Sequence, residues 1–247
     1  MIRRHQVTAT FGAAAQRYEQ YARVQRHAAL YLADSLNRLA LPRQANVLEL
    51  GCGTGLLSNL LLRHRPEGAF LLTDASLPML LEARRHLPGQ ARFAVMDAES
   101  PAVNDTYDLI ASNLTWQWFD SPLRSFSRWM ALLKPGGWLA VTTLGEKTFQ
   151  EWAAACIEER LPSGILTHPT RREWESLPVA VSEELLSIAH PSALTFLREL
   201  HAVGADHPAT GYRPLPGGTL RRLLRRHQEG FTISYHLYYI FWQNSPG

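Results

Sequence analysis

Cysteine is scarce: Cys52 and Cys156 are the only two in 247 residues. They form no C-x-x-C pair and stand at no His–Cys metal spacing, which argues against a disulfide framework or a structural zinc and for a reducing cytoplasm. No apolar run approaches the roughly 18 residues that would span a bilayer. The opening "MIRRHQVTAT" carries two arginines with no apolar stretch behind them, so it does not read as a secretory leader. Internal repeats, low-complexity tracts and linkers are missing. So is any basic stripe interleaved with stacking aromatics, which places nucleic acid last among partners. The expectation is one cytoplasmic, monomeric domain, with no membrane contact and no metal.

What is present is ordinary for a globular chain, 46% apolar and 19% charged, so disorder and coiled coil drop out. Net charge is only +3, yet the arginines cluster at Arg84 and Arg85, Arg171 and Arg172, and Arg221, Arg222, Arg225 and Arg226. Such clusters are solvated helix faces or a dock for an acidic partner, steered by charge and weakened by salt.

Along the chain, residues 11–39 have helical apolar spacing without proline, which predicts two helices. Strands and helices then alternate. "ANVLELG" (45–51), "AFLLTD" (69–74), "ARFAVMDAE" (91–99), "YDLIASN" (107–113) and "WLAVTTL" (138–144) read as strands, the last one after a "KPGG" turn. Continuous apolar strands separated by helices imply a doubly wound α/β fold, a mostly parallel sheet covered on both faces. "EELLSIAH" (183–190) and "FTISYHLYYIF" (231–241) bring the strands to seven. The expected division is an N-terminal helical cap over 1–40, a core over 41–145, a helical lid insertion over 146–180, and the sheet's completion over 181–247.

"LELGCGTG" (48–55) carries the most chemistry. A strand runs into Gly51, Cys52, Gly53, Thr54 and Gly55, and a helix follows at once. Glycines allow the tight turn and let a ligand approach amides at the helix N-terminus. Nineteen residues past Gly55, the second strand ends in Asp74, placed to accept ribose hydroxyls, and the third ends in Asp97 and Ala98, where an adenine could be flanked. Ligands of open α/β sheets bind along that edge.

With "TDASLPMLLEAR", "MDAE", "YDLIASN" and "LKPGGWLAVTT", the glycine stretch resembles the successive motifs of class I S-adenosylmethionine-dependent methyltransferases, whose fold is Rossmann-like. The resemblance implies that Glu49, Gly51, Cys52 and Gly53 surround the methionine part of S-adenosylmethionine. It places Asp74 and Ala75 at the ribose, Met79 near the adenine with Asp97 and Ala98, and Asn113 at the site's edge. The stretches "FGAAAQRYEQYARVQ", "SNLTWQWFD", "LRELHAVGA" and "ISYHLYYIF" are similar to the malonyl-acyl carrier protein O-methyltransferases of biotin synthesis, the BioC family. That likeness implies methylation of the free carboxylate of malonyl-acyl carrier protein or malonyl-CoA. Trans-aconitate methylation and a non-catalytic cofactor-binding role are the alternatives.

Such a carboxylate, with a pKa near ~4, is already ionised at neutral pH and needs no base. The site must desolvate it, aim it and exclude water. Arg198 is the candidate to orient it, because an arginine can grip a carboxylate by two bonds. Tyr18 and Tyr21, three apart, share a helix face and are candidates to cover the sulfonium. Gln117 and Trp118 are expected to wall the acceptor channel, with Trp116 and Phe119 anchoring the loop to the insertion. The arginines at 221, 222, 225 and 226 are the candidate dock for the acidic carrier.

Overall fold

In a computed structural model, residues 2–87, 89 and 91–245 are described, with side chains from residue 5 onward. Helices α1 (Ile2–Ala14), α2 (Tyr18–Tyr21) and α3 (Arg23–Asn37) precede β1 (Asn46–Leu50). Then come α4 (Leu56–His64), β2 (Ala69–Asp74), α5 (Leu77–His86), β3 (Arg92–Val95) and β4 (Tyr107–Asn113). After a 3-10 turn at Trp116–Trp118 follow α6 (Pro122–Met130), β5 (Leu133–Leu144), α7 (Gln150–Glu158) and α8 (Arg171–Glu175). The chain closes with β6 (Ala180–His190), α9 (Ala193–Ala202), α10 (Gly217–Arg226) and β7 (Phe231–Gln243).

The seven strands form one open sheet in the order β3-β2-β1-β4-β5-β7-β6. The first five are parallel, while β7 runs antiparallel to both β5 and β6. Alternation along β1 explains why the sheet must be covered twice. Val47 faces the core under α3 and α4, whereas Leu48 and Leu50 face the opposite core with Phe126 and Trp129 of α6. All are almost fully buried, and burying each aliphatic side chain contributes roughly 1.5–3 kcal/mol. Among the described residues no helix is long and apolar enough to cross a membrane.

Three expectations need correction. The third strand spans only Arg92–Val95, so Asp97 and Ala98 lie in the loop after it. The N-terminal segment holds three helices, because Ala22 leaves helical geometry at ψ 48° and isolates α2 as a single turn. The fifth strand starts at Leu133, five residues early, and "KPGG" belongs to it. Its register against β4 slips between Tyr107 and Leu109, and Gly136 takes φ +80° to absorb the extra residues.

Candidate active site

The C-terminal ends of β1, β2, β3 and β4 open on one cavity. The loop after β1 reaches it through Gly51 and Gly53, both at positive φ. A Cβ on Gly51 would run into the Thr115 side chain, whereas one on Gly53 would meet open space. Gly51 therefore serves close packing, and Gly53 presents bare backbone to the cavity. Asp74 fixes the loop from β2: one carboxylate oxygen accepts the Gly53 amide at 2.9 Å and the other the Ser76 amide at 2.8 Å. Each oxygen keeps a lone pair for a ligand hydroxyl. Burial pushes the Asp74 carboxyl upward, opposed by those two amides.

Gly51, Gly53, Asp74, Ala75, Met79, Asp97, Ala98 and Asn113 all line this cavity. Asp97 accepts the Glu99 amide at 2.9 Å. Asn113 donates to the Gln25 carbonyl at 3.0 Å and accepts from Thr142 Oγ1 at 2.7 Å, so it pins the start of α3 over the end of β4. Glu49 and Cys52 depart from expectation and lie outside the lining. Both are buried, and Glu49 accepts from Ser58 Oγ at 2.6 Å, beneath the loop on the first turn of α4. Burial lifts the Glu49 carboxyl to about 8, with the Ser58 bond opposing and Asp74 adding to the rise. No lysine, arginine or histidine lines the cavity among the described residues. Two lining carboxylates, glycine backbone and no cation among the described lining residues suit a positively charged ligand with ribose hydroxyls, and S-adenosylmethionine fits that description.

A second, larger cavity of about 480 Å3 adjoins the first, within the size range of small-molecule sites. Phe11, Tyr18, Leu114 and Trp118 border both cavities and form the partition. Trp118 stands edge-on to Phe11 at 5.5 Å and to His207 at 5.9 Å. Leu114, at φ +51°, holds a left-handed turn where the chain leaves β4. Such backbone strain costs roughly 1–3 kcal/mol and survives only where packing enforces it. Its carbonyl accepts from Gln117 Nε2 at 2.7 Å. Trp116 points the other way, fully buried and stacked on Trp174 of α8 at 5.1 Å. The aromatic loop thus splits: Trp116 anchors it to the insertion, and Trp118 divides the two cavities.

Tyr18, Tyr21, Gln117 and Trp118 meet at the second cavity. Burial raises the Tyr18 phenol, with Asp74 and Glu19 adding to it, so it stays protonated and able to donate. Arg198 is not among the lining residues: it is exposed on α9, whose inner face carries Phe196, Leu197, Leu200 and Val203. At 100° per residue Arg198 falls opposite that stripe, so the apolar spacing already held the signal. The arginine that does line the cavity is Arg23, beside Glu199, His190 and Tyr235.

The cover over this cavity has more parts than the insertion. Phe149, Trp152 and Ile165 come from 146–180, but Ala205, His207, Tyr212 and Leu215 come from the segment between α9 and α10. Gly204, at φ +74°, brings that segment against α1, where an added Cβ would sit 3.0 Å from the Thr10 carbonyl. Outside, Arg221, Arg222, Arg225 and Arg226 of α10 are all exposed, and Arg222 and Arg226 pair with Glu159. Leu220, one residue before Arg221, lines the cavity.

A family model described as a methyltransferase domain matches residues 24–232. The chain is 40% identical over 239 residues to a malonyl-[acyl-carrier protein] O-methyltransferase of Magnetococcus marinus, covering 92% of this chain and 88% of that one. A second relative with that name, from Methylococcus capsulatus, is 34% identical over 90% of this chain and 81% of its own. The biotin biosynthesis bifunctional protein BioCD of Bordetella avium is 39% identical over 96% of this chain, which spans 52% of that longer protein. In fold, the chain resembles the YcgJ protein of Bacillus subtilis, at a TM-score of 0.58 and 15% identity over 90% of this chain and 99% of that one. A SAM-dependent methyltransferase of Thermotoga maritima superposes at 0.57 with 18% identity, over 97% and 100% of the two chains.

Proposed function

The chain belongs to the methyltransferase-domain family, and from that premise we propose that it methylates the free carboxylate of malonyl-acyl carrier protein. The methyl donor is S-adenosylmethionine, and the product is the malonyl methyl ester from which pimeloyl synthesis for biotin begins. The partition carries this reading: a cavity with two acidic side chains and no cation shares Tyr18 and Trp118 with an apolar cavity that holds an arginine. Relatives named for the same reaction, matched over most of the chain, support it.

Bound in the first cavity, S-adenosylmethionine would supply an electrophilic methyl on a sulfonium, whose C–S bond pair would return to a neutral thioether as the carboxylate oxygen takes the methyl. Asp74 and Asp97 hold the ribose and adenine, and Gly51 and Gly53 keep the loop close to the ligand. Glu49 acts from below, holding Ser58 and the first turn of α4. Tyr18 and Trp118 frame the opening through which methyl meets acceptor, and Gln117 fixes the loop by its bond to Leu114. Phe149, Trp152 and Phe196 exclude water, so the carboxylate arrives desolvated and more nucleophilic. No base is required, since the acceptor has already lost its proton.

The carrier's arm enters beside Leu220, and the exposed Arg221 and Arg225 receive its acidic surface. Arg222 and Arg226 are already engaged by Glu159 and contribute less. The protein works as a cytoplasmic monomer in this reading. The test offers labelled donor with malonyl-acyl carrier protein, malonyl-CoA and free trans-aconitate. Label on the malonyl thioesters alone is expected, while label on the free acid alone would overturn the carrier reading.

A further inference from the structure

The acyl cavity contains a guanidinium whose two edges are treated differently. Arg23 Nη2 donates to Glu199 Oε2 at 2.6 Å and lies 3.2 Å from His190 Nδ1. Its Nη1 and Nε bond to nothing else among the described residues, and Arg23 is the only lysine or arginine among them that lines the cavity. The side chain is about half exposed, at 46% of its free area, and is held on the cavity lining by Glu199. Arg23 begins α3, two positions before Gln25, whose carbonyl accepts from Asn113 at the edge of the cofactor cavity. Tyr18 and Tyr21 occupy the preceding turn. Burial, with Arg23 nearby, pushes the His190 imidazole downward against the pull of Glu199, which keeps it neutral. Glu199 is therefore the one full charge balancing Arg23 in this cluster.

We infer that Arg23 binds the acceptor carboxylate through its free edge, and that Glu199 is a positioning residue that holds the other edge. The inference rests on the proposed carboxyl methylation. A carboxylate entering walls made by Phe149, Trp152 and Phe196 loses hydration worth several kcal/mol unless a cation meets it, and Arg23 is the permanent cation available. A bare arginine would take both carboxylate oxygens in a fork and blunt the nucleophile. An arginine already half engaged by Glu199 contacts one oxygen and leaves the other free to attack the methyl. The same contact sets specificity, because an acetyl thioester offers nothing to Arg23.

The test measures binding of malonyl-pantetheine and acetyl-pantetheine to the full chain saturated with S-adenosylhomocysteine, alongside steady-state kinetics. Wild type should prefer the malonyl compound. Arg23→Gln should abolish the preference and raise KM for the malonyl thioester about 30-fold, with S-adenosylhomocysteine affinity unchanged within about twofold. Glu199→Gln should lower that KM and also lower kcat, a split that loss of structural support would not produce. An Arg23→Gln protein that keeps the preference overturns the inference, as does a wild type that binds both compounds equally. Should Arg23→Gln fail to bind S-adenosylhomocysteine, Arg23→Lys and Glu199→Gln decide by the same readouts. Arg23-dependent malonyl binding without methyl transfer would uphold the inference and defeat the reaction; transfer with unchanged preference would do the reverse.

Discussion

Asp74 holds Gly53 across the mouth of the cofactor cavity, one carboxylate oxygen on the glycine amide at 2.9 Å, while its other oxygen holds Ser76 at the entry to α5. Removing the side chain leaves two part-buried amides without their acceptor and frees the loop, and bonds to a charged acceptor are worth about 1.5–3 kcal/mol each. Asp74→Ala should therefore weaken S-adenosylhomocysteine binding about 100-fold, and Asp74→Asn about 10-fold, by calorimetry.

Trp116 and Trp174 stack with their planes 12° apart, which ties the loop after β4 to the insertion. Both are fully buried. Truncating either to alanine should destabilise the protein by about 3–5 kcal/mol in denaturant unfolding. The double variant should lose less than the sum, because each deletion removes the same contact. Trp118→Ala should leave stability nearly unchanged and cut turnover.

The sheet was legible chiefly because its central strands β1, β4 and β5 are buried on both faces and read as apolar runs; β2 and β4 have the bounds the sequence predicts. Asp74 was legible because it ends β2 on the ligand edge, and Asp97 lies at the same edge two residues beyond β3, which stops at Val95. Three features were hidden. Glu49 sits beside the glycine loop in sequence, but strand alternation and Ser58 draw it underneath. Arg23 gains its place only when α9 brings Glu199 to it, 176 residues away. The segment 205–215 has no regular structure to betray it as part of the cover, apart from Gly204.

At Gly204 the backbone is left-handed, and the Thr10 carbonyl and Phe11 backbone lie 3.0–3.1 Å from where a Cβ would be. Gly204→Ala must twist the segment away from α1, at a cost of about 1–2 kcal/mol. Circular dichroism should show a lowered Tm, and kcat should fall about 10-fold as the cover loosens.

Glu49 makes stability depend on pH. Its carboxyl rises from 4.5 in the unfolded chain to about 8 in the folded protein. Between those values the folded state keeps a proton that the unfolded state has released. The stabilisation is full below pH 4.5 and is lost as pH rises to about 8. At about 1.4 kcal/mol per pKa unit, the fall is on the order of a few kcal/mol. Glu49→Gln should flatten it in unfolding curves recorded from pH 5 to pH 9. A variant that declines as steeply as wild type would show that Glu49 is ionised in the fold.

Arg221 and Arg225 should make the carrier reaction sensitive to salt in a way that a small thioester's is not. Reversing both to glutamate should raise KM for malonyl-acyl carrier protein about 10-fold or more and leave malonyl-pantetheine untouched. Equal salt dependence for the two substrates would remove the proposed dock.

The central claim is that methyl lands on the free carboxylate of a carrier-bound malonyl group. Intact-mass spectrometry of malonyl-acyl carrier protein incubated with this protein and S-adenosylmethionine tests it most directly, with acetyl-acyl carrier protein as the control. The account predicts a gain of one methylene mass on the malonyl species and none on the acetyl species. No gain from a preparation that binds S-adenosylhomocysteine, or an equal gain on both carriers, would contradict it.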